Sequence, residues 1–424
     1  MNEHEFHVQG LAVSALAEEF GTPLFVYDTD VVGAAYRRLR EGLRPAVDIM
    51  YSLKANPNIS VCAYLRSLGA GAEVSSEAEL VTALRAGVAP CDIIFLGPGK
   101  TRRELRACIR AGIRAVVCES LGELRLLDSL AAEAGDAGRV PVMLRINPGF
   151  SAPGSGLAMG GKPRQFGIDT DTVRRSRDEL SALRHVRITG IHAYVGTRFL
   201  RHEHVVHNTR GILDEAARLA ADLALPLETV DFGGGVGVAY FDNEKDPDVQ
   251  ELVSGVNEAV DDFSRNHPGC RFIMEAGRWL TAAAGTYVVR ALDVKESMGE
   301  SFVVADGGTH HHMAAVGVGS FVRRNFPIRV LNRLGQPTTA RYTVTGPLCT
   351  PNDVLGKRVE LPVVRPGDLL GVACSGAYGP TASPGRFLSH GYPAEVLVHQ
   401  GRAHLVRRRD TVEDLLSPQR LVEL

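Results

Sequence analysis

One lysine, Lys54, stands where a strand-like segment ends and a helix is about to begin. Apolar residues alternate with polar ones at Val47, Ile49 and Tyr51, which is the period of a strand, and residues 56–58 (Asn-Pro-Asn) supply a break and a helix start. An amine held among apolar neighbours has a lowered pKa, which makes the neutral nucleophile available. Lys54 is therefore a candidate for Schiff-base formation. The alternative is an ordinary surface lysine that follows a strand.

Three consecutive glycines, Gly233, Gly234 and Gly235, follow the strand-like residues 230–232. Successive backbone N–H groups with no Cβ in the way can cradle a phosphate. A tight turn from strand to helix also requires glycine, so local packing is the alternative explanation. A second anion-binding group close by would favour the phosphate.

Such a group follows the next predicted strand, where Gly277 and Arg278 add a flexible turn and a cation, as neighbouring phosphate-binding turns do in α/β barrels. Glu275 lies at the mouth of that strand. A carboxylate there is costly unless it meets a positive partner, either a protonated pyridine nitrogen or, alternatively, Arg278 or Lys54. A Schiff-base lysine, a phosphate cradle and a carboxylate for a ring nitrogen together describe a site for pyridoxal 5'-phosphate.

The elements that must position these groups form a regular series between residues 29 and 282. Eight short apolar strands alternate with helical stretches, which is the order of a (β/α)8 TIM-type barrel in an α/β fold. An open doubly wound sheet is the alternative, although it would ordinarily have fewer repeats. The predicted strands cover residues 48–54, 72–75, 92–97, 115–119, 141–147, 188–196, 228–232 and 271–276.

The character of the chain changes after residue 283, where β-branched runs are broken by glycine and proline. This pattern predicts a C-terminal antiparallel β domain. An early apolar strand, residues 24–27, precedes the barrel and is expected to pair with that domain. We therefore predict two domains, a barrel at 29–282 and a β domain built from 1–28 and 283–424.

The composition excludes several classes of protein. Lys and Arg number 47 against 49 Asp and Glu, so no nucleic-acid or membrane-surface footprint is expected. The seven cysteines show no Cys-x-x-Cys spacing, which is typical of free thiols in a reducing compartment. No signal peptide or membrane-spanning segment is predicted. We expect a cytoplasmic protein whose partner is a small molecule or another protein.

Six motifs occur in a fixed order along the chain: Tyr51-Ser-Leu-Lys54-Ala-Asn, Gly71-Ala-Glu73-Val-Ser-Ser, Asp231-Phe-Gly-Gly-Gly, Glu275-Ala-Gly-Arg278, Gly346-Pro-Leu-Cys349 and Gly376-Ala-Tyr378-Gly. In these motifs the chain resembles the fold-type III decarboxylases, the family of diaminopimelate, ornithine and arginine decarboxylases, whose fold is like that of alanine racemase.

The resemblance implies a role for each matching residue. Lys54 would form the Schiff base with pyridoxal phosphate and Glu275 would pair with its ring nitrogen. It further implies a head-to-tail homodimer, in which Cys349 enters the partner's site and returns a proton to the substrate. Without the family, Cys349 would be one packed thiol among seven. The remaining cofactor-binding residues implied are Glu73, Tyr194, Thr197, Gly233, Gly234, Gly235, Gly277, Arg278 and Tyr378.

The chain departs from the family where substrates are recognised. Thr350 follows Cys349 at the position of an acidic residue that helps to bind a distal ammonium. A triple histidine, residues 310–312, replaces the arginine-proline run of diaminopimelate decarboxylases. The family's ring-stacking histidine aligns with Tyr194, while His192 lies one pleat earlier. The usual groups for holding diaminopimelate or a diamine are thus missing.

Other polar residues are candidates for substrate binding. Consecutive histidines point to different sides, so a pocket or packing role is expected for the triple histidine and no metal site is predicted. The run Arg323-Arg324-Asn-Phe-Pro would be a solvated basic face or would meet a substrate carboxylate or a carrier-borne phosphate. The predicted substrate-binding residues are His310, His311, Arg323, Arg324 and Asp353.

These motifs resemble most closely a branch of enzymes from natural-product and exopolysaccharide gene clusters, including a butirosin-pathway enzyme that acts on a glutamyl group tethered to an acyl carrier protein. We predict a decarboxylase of an L-amino acid or a carrier-protein-bound aminoacyl group. Diaminopimelate decarboxylase, an amino-acid racemase and an inactive regulatory homologue are the alternatives. The carboxylate at Glu275 argues against the racemase, in which an arginine faces the ring nitrogen.

Overall fold

The computed structural model describes residues 4–135, 138–151, 153–316 and 324–423. Two compact units are present. One contains Met1–Ala34, Tyr240–Glu244 and Leu280–Leu424, and the other contains Ala35–Ala239 and Lys245–Trp279. The domain boundaries drawn from the sequence stay a prediction beside this division.

The second unit is a closed barrel of eight parallel strands. Each strand is hydrogen-bonded to the next, and β8 pairs with β1 to close the ring. Closure confirms the predicted (β/α)8 fold, because an open doubly wound sheet would leave two edges unpaired. The strands are β1 (Val47–Ser52), β2 (Gly71–Val74), β3 (Ile93–Phe95), β4 (Ala115–Cys118), β5 (Val140–Asn147), β6 (Val186–His192), β7 (Thr229–Asp231) and β8 (Arg271–Ala276).

Helices follow the barrel strands, and their ends carry the expected capping residues. Ser76 and Ser120 each accept a hydrogen bond from the third residue of the helix that follows. Thr101 and Glu104 form a reciprocal capping box. The helices are Thr29–Arg40, Ile59–Ser67, Glu77–Arg85, Arg102–Ala111, Leu121–Ala134, Thr170–Arg175, Arg177–Ala182, His202–Leu223 and Val249–Ser264, with shorter turns at Leu53–Ala55, Pro90–Asp92, Arg278–Thr281 and Ala282–Ala284.

A buried apolar cluster joins strands on different sides of the barrel. Met50, Ile94, Val117, Met143 and Ile273 come from β1, β3, β4, β5 and β8, and none is more than 1% exposed. Burying a side chain of this size stabilises a fold by about 1.5–3 kcal/mol. The strands whose ends carry the candidate residues are therefore held in place by a close-packed core.

The other unit is built around a mixed sheet. Leu24–Asp28 lies between Gly285–Ser297, to which it is antiparallel, and Ala394–His399, to which it is parallel. The predicted pairing of this early strand with the C-terminal domain is thus confirmed. Most pairings are antiparallel, as predicted. The remaining strands are Glu300–Ala305, Ile328–Val330, Ala340–Thr345, Val354–Leu361, Leu369–Val372 and Arg402–Arg407, with short ones at His7–Val8 and Leu11–Ala12 and a helix at each end, Val13–Phe20 and Val412–Leu416.

Several barrel strands end earlier than the sequence predicts, and two of these differences bear on the candidate site. β1 stops at Ser52, so Lys54 lies in the short turn Leu53–Ala55 rather than in the strand. β6 stops at His192, and the next residues turn away so that Gly196–Thr197 pairs antiparallel with Leu157–Ala158. In the described part of the chain, every helix is too short or too polar to cross a membrane.

Candidate active site

Lys54 is held at the mouth of β1 by a turn whose other two residues are buried. Leu53 and Ala55 are at most 1% exposed, whereas the Lys54 side chain is 37% exposed. Its Nζ donates a hydrogen bond of 2.7 Å to Oε2 of Glu73 and lies 3.7 Å from Oε2 of Glu275. The ring centroid of Tyr194 lies 5.6 Å from the same nitrogen. The amine therefore faces two carboxylates and an aromatic ring.

These neighbours differ from the apolar surroundings expected from the sequence. Two nearby carboxylates favour the charged ammonium, whereas apolar burial would favour the neutral amine. Glu73 is fully buried at the end of β2, where Ser75 Oγ also donates to it. Lys54 is consequently a charged partner of buried acids, and it becomes a nucleophile only after it gives up a proton.

Glu275, on β8, is almost fully buried. Nε2 of His192 lies 2.8 Å from its Oε1. Burial by itself raises the pKa of Glu275, but the Lys54 charge and the hydrogen bond from His192 prevail and lower the pKa to about 2. Burial also lowers the pKa of His192, so a neutral imidazole donates its Nε2–H to an ionised carboxylate.

Asp231 lies at the end of β7, directly opposite His192 in the strand register. Its Oδ1 accepts a hydrogen bond of 2.8 Å from the amide of Gly233. Burial and the charge of Glu275 raise the pKa of Asp231 well above its ordinary value. His192, Asp231 and Glu275 bring ligand atoms within 4.8 Å of one another, as a metal site would require. The absence of a metal stays a prediction.

Close packing is by itself sufficient to explain why this turn consists of glycines. A Cβ on Gly234 would lie 1.8 Å from the carbonyl oxygen of Glu275. A Cβ on Gly235, whose φ is +84°, would lie 2.4 Å from the carbonyl oxygen of Gly196. The turn thus fits closely against the ends of β8 and the Gly196 segment. Its role in phosphate binding stays a prediction.

The other predicted phosphate residues of this unit flank the same strand ends. Gly277 packs against the turn that carries Lys54, because a Cβ on it would lie 3.0 Å from the Cβ of Ala55. Arg278 begins a short helix directly after β8. Thr197 lies in the short strand beyond β6. The barrel thus brings together the ends of β1, β2, β6, β7 and β8, as the motif order implied.

One buried atom tests whether these residues fit pyridoxal phosphate. Oε2 of Glu275 has no hydrogen-bond partner among the described residues, although the carboxylate is ionised. Its nearest cation, Nζ of Lys54, lies 3.7 Å away, and a buried charged oxygen that receives no hydrogen bond is costly. A protonated pyridine nitrogen would supply the missing donor, while the hydrogen bond between His192 and Oε1 holds the carboxylate in place. The residues present therefore fit the cofactor.

In the other unit, Cys349 is exposed within a loop that a buried acid anchors. Asp353 is 2% exposed and accepts three hydrogen bonds, from the amide and hydroxyl of Thr309 at 2.7 and 2.9 Å and from the amide of Leu348 at 2.8 Å. This placement indicates a structural role for Asp353. Its predicted contact with substrate stays a prediction. Tyr378 is partly buried with a φ of +56°.

The triple histidine is buried and neutral. Tyr287 O–H donates to Nδ1 of His311, whose Nε2–H donates to the carbonyl of Gly391. His312 donates to the hydroxyl of Ser375. Burial lowers the pKa to about 4 for His310, about 2 for His311 and about 3 for His312. Packing explains His311 and His312. The substrate-binding role predicted for His310 and His311 is untested by these contacts.

Arg324 lies beside two residues that belong to the same unit. Its guanidinium is 5.2 Å from the ring centroid of Phe241 and donates to Oδ1 of Asn243 at 3.2 Å. Arg323 lies outside the described residues.

The contact between His192 and Glu275 was not predicted from the sequence. The sequence did contain a signal for it, because His192 and Asp231 both end barrel strands.

Comparisons with known proteins agree along the whole chain. Residues 30–282 match the family described as "Pyridoxal-dependent decarboxylase, pyridoxal binding domain". The chain is 39% identical to the L-glutamyl-[BtrI acyl-carrier protein] decarboxylase of Niallia circulans, over 96% of each chain. It is 31% identical to the diaminopimelate decarboxylase of Pseudomonas aeruginosa, over 99% of this chain and 97% of the other. Among solved structures, diaminopimelate decarboxylase from M. jannaschii covers 100% of this chain and 97% of its own, with 27% identity and a TM-score of 0.92.

Proposed function

Because the chain belongs to the pyridoxal-dependent decarboxylases, we propose that it removes the α-carboxylate of a glutamyl group carried by an acyl carrier protein. The observation that carries the chemistry is the ionised, fixed Glu275 beside Lys54. The substrate is inferred from the 39% identity with the carrier-protein decarboxylase. Thr350 supports it, since the resemblance expects an acid at that position for substrates with a distal ammonium.

The barrel residues would hold the cofactor and set its charge. When bound, pyridoxal phosphate supplies an electron sink for the bond that breaks at Cα. Glu275 would hold a proton on the ring nitrogen through Oε2, while His192 fixes the carboxylate through Oε1. Lys54 would hold the cofactor's carbonyl carbon, and Glu73 is placed to take the proton that Lys54 must lose. Gly233, Gly234, Gly235, Gly277, Arg278 and Tyr378 would bind the phosphate, with Thr197 and Tyr194 beside the ring.

Cys349 would supply the proton that replaces carbon dioxide. A general acid must reach the atom that it protonates, and the thiol is exposed in a single copy of the chain. We propose that it acts in the site of a second copy, so that the enzyme is a homodimer with shared active sites. Asp353 would hold the loop that presents the thiol.

The test is a panel of substrates assayed with added pyridoxal phosphate. Glutamyl-loaded carrier protein, free L-glutamate, diaminopimelate, L-lysine and L-ornithine are scored for loss of one carbon dioxide by mass spectrometry. We expect turnover of the loaded carrier and little of the free amino acids. Lys54→Ala is the control that separates catalysis from spontaneous loss, because it removes the amine without touching the apolar turn.

Diaminopimelate decarboxylase is the second candidate, favoured by the 31% identity over nearly the whole chain. Turnover of diaminopimelate with no release from the loaded carrier would select it and overturn the first proposal. Loss of optical rotation without release of carbon dioxide would instead select a racemase.

A further inference from the structure

A cleft of about 1160 Å³ opens in the unit that carries Cys349. Aromatic side chains form part of its wall: Tyr240 stacks on Phe326 with ring centroids 4.6 Å apart, and Phe241 meets Phe326 edge-on at 6.1 Å. Pro351, two residues beyond Cys349, lines the same cleft. Its volume slightly exceeds the range of about 300–1,000 Å³ usual for small-molecule sites, so it has room for a ligand much larger than a free amino acid.

Four cationic side chains line this cleft: Arg324, Arg329, Lys357 and Arg358. Arg358 is paired with Glu300 at 2.9 Å. Among the described residues, no ion pair engages Arg329 or Lys357, and both are exposed. Two of the acids in the lining are already neutralised, Glu300 by Arg358 and Glu360 by Arg341 at 2.8 Å.

The position of Lys357 is fixed by its neighbour across the cleft. Asn325 Nδ2 donates to the carbonyl of Lys357 at 2.7 Å, and the amide of Lys357 donates to Asn325 Oδ1 at 2.8 Å. This reciprocal pair ties the segment after Arg324 to the strand Val354–Leu361. The cleft therefore presents cations, one of them on a backbone that Asn325 holds, beside aromatic side chains, and this combination suits an anion attached to a chain with apolar groups.

We propose that this cleft binds the phosphopantetheine arm of the acyl carrier protein, with the arm's phosphate against Arg329 and Lys357 and its pantetheine portion along Tyr240 and Phe326. The inference rests on the proposed function, because only a carrier-borne substrate brings such an arm. The arm is anionic at one end and carries methyl and methylene groups between its two amides, which matches a cleft lined by cations and aromatic side chains. A compact free amino acid would fill only a small part of it.

The experiment compares two soluble thioesters of glutamate, both linked through the side-chain carboxyl so that the α-carboxylate stays free. One carries phosphopantetheine and the other carries pantetheine, which lacks the phosphate. Wild type is measured beside the double variant Arg329→Gln, Lys357→Gln. Both residues are exposed, so the variant is expected to fold. Arg402→Gln, an exposed cation on another strand that does not line the cleft, is the matched control.

We expect the double variant to raise KM for the phosphopantetheine thioester roughly ten- to hundredfold, the effect of losing charge-assisted hydrogen bonds. The value of kcat should change little, because the lost contacts stabilise the bound substrate and the transition state equally. KM for the pantetheine thioester and all constants of Arg402→Gln should match wild type. Coenzyme A, used as a competing phosphate-bearing probe, should inhibit wild type more than the double variant.

Other outcomes separate this inference from the function on which it rests. Equal KM values for wild type and double variant with the phosphopantetheine thioester would overturn the cleft as the phosphate site while leaving the function standing. An equal rise for both thioesters would overturn it too, because the phosphate would then not be what the cations recognise. A wild-type enzyme that releases no carbon dioxide from the loaded carrier would overturn the function and the inference together.

Discussion

The contact between His192 and Glu275 makes the sharpest prediction about the active site. In His192→Leu the apolar side chain removes the only hydrogen bond that Oε1 of Glu275 receives among the described residues. Leaving an ionised, buried acceptor bare costs about 1.5–3 kcal/mol. His192→Gln is the matched variant, because its amide nitrogen can still donate.

The same change alters the pH dependence of stability. The pKa of Glu275 in the folded protein is about 2, below its ordinary value, so the carboxylate stabilises the fold fully above that ordinary value. This contribution is lost as pH falls through the folded pKa. Without His192 the pKa rises toward the ordinary value. Acidification below the ordinary value should therefore cost wild type more stability than His192→Leu, and the deficit of the variant should be full above that value and narrow below it.

The assay is urea unfolding of the cofactor-free protein at pH 7 and at about pH 3.5, which lies below the ordinary carboxyl pKa, followed by titration with pyridoxal phosphate. We expect His192→Leu to unfold at lower urea at pH 7, to show a smaller deficit at the acidic pH, and to bind the cofactor more weakly. His192→Gln should recover most of the stability. Equal unfolding curves for wild type and the leucine variant would refute the argument that this bond holds the carboxylate.

Three further predictions follow from single contacts. Cys349→Ala should lower product formation while leaving cofactor absorbance unchanged, and a loss of absorbance would show that the thiol supports the cofactor instead. Asp353→Ala leaves three donors unsatisfied, so the free energy of unfolding should fall by about 1–3 kcal/mol or more. Urea titration should give Asp353→Asn a stability between those of Asp353→Ala and wild type. Gly234→Ala forces a Cβ onto the Glu275 carbonyl, so it should weaken pyridoxal phosphate binding far more than Gly99→Ala, which meets open space.

The barrel was predictable because its signal is local and repeated. Each strand is a short apolar run bounded by helix caps, and eight repeats leave few alternatives. The parallel pairing of Leu24–Asp28 with Ala394–His399 was not predictable in detail. These strands are separated by most of the chain, so their register is not set by a hairpin turn between them.

The candidate site was predictable as a set of residues but not as an electrostatic arrangement. Motif order placed Lys54 and Glu275 at neighbouring strand ends, which the pairing of β1 with β8 confirms. The sequence pattern suggested an apolar setting for the lysine, because neighbours in sequence do not reveal that Glu73 arrives from β2. Asp353 was likewise predicted to bind substrate, and the three donors that it accepts from belong to Thr309 and Leu348, which only the folded chain brings to it.

The charged network of the barrel involves Lys54, Glu73 and Glu275, and each of the two carboxylates is ion-paired with Lys54. Such a network cannot discriminate among amino acids, since all offer it the same α-amine and α-carboxylate. We therefore expect substrate choice to depend on groups outside the barrel. Arg329 and Lys357 are exposed and form no ion pair with any residue that the structure describes, so they are suited to that task, because an anion on the substrate would be their counter-charge. Replacing these two cations should therefore alter the preference among substrates more than it alters the rate of carbon dioxide release.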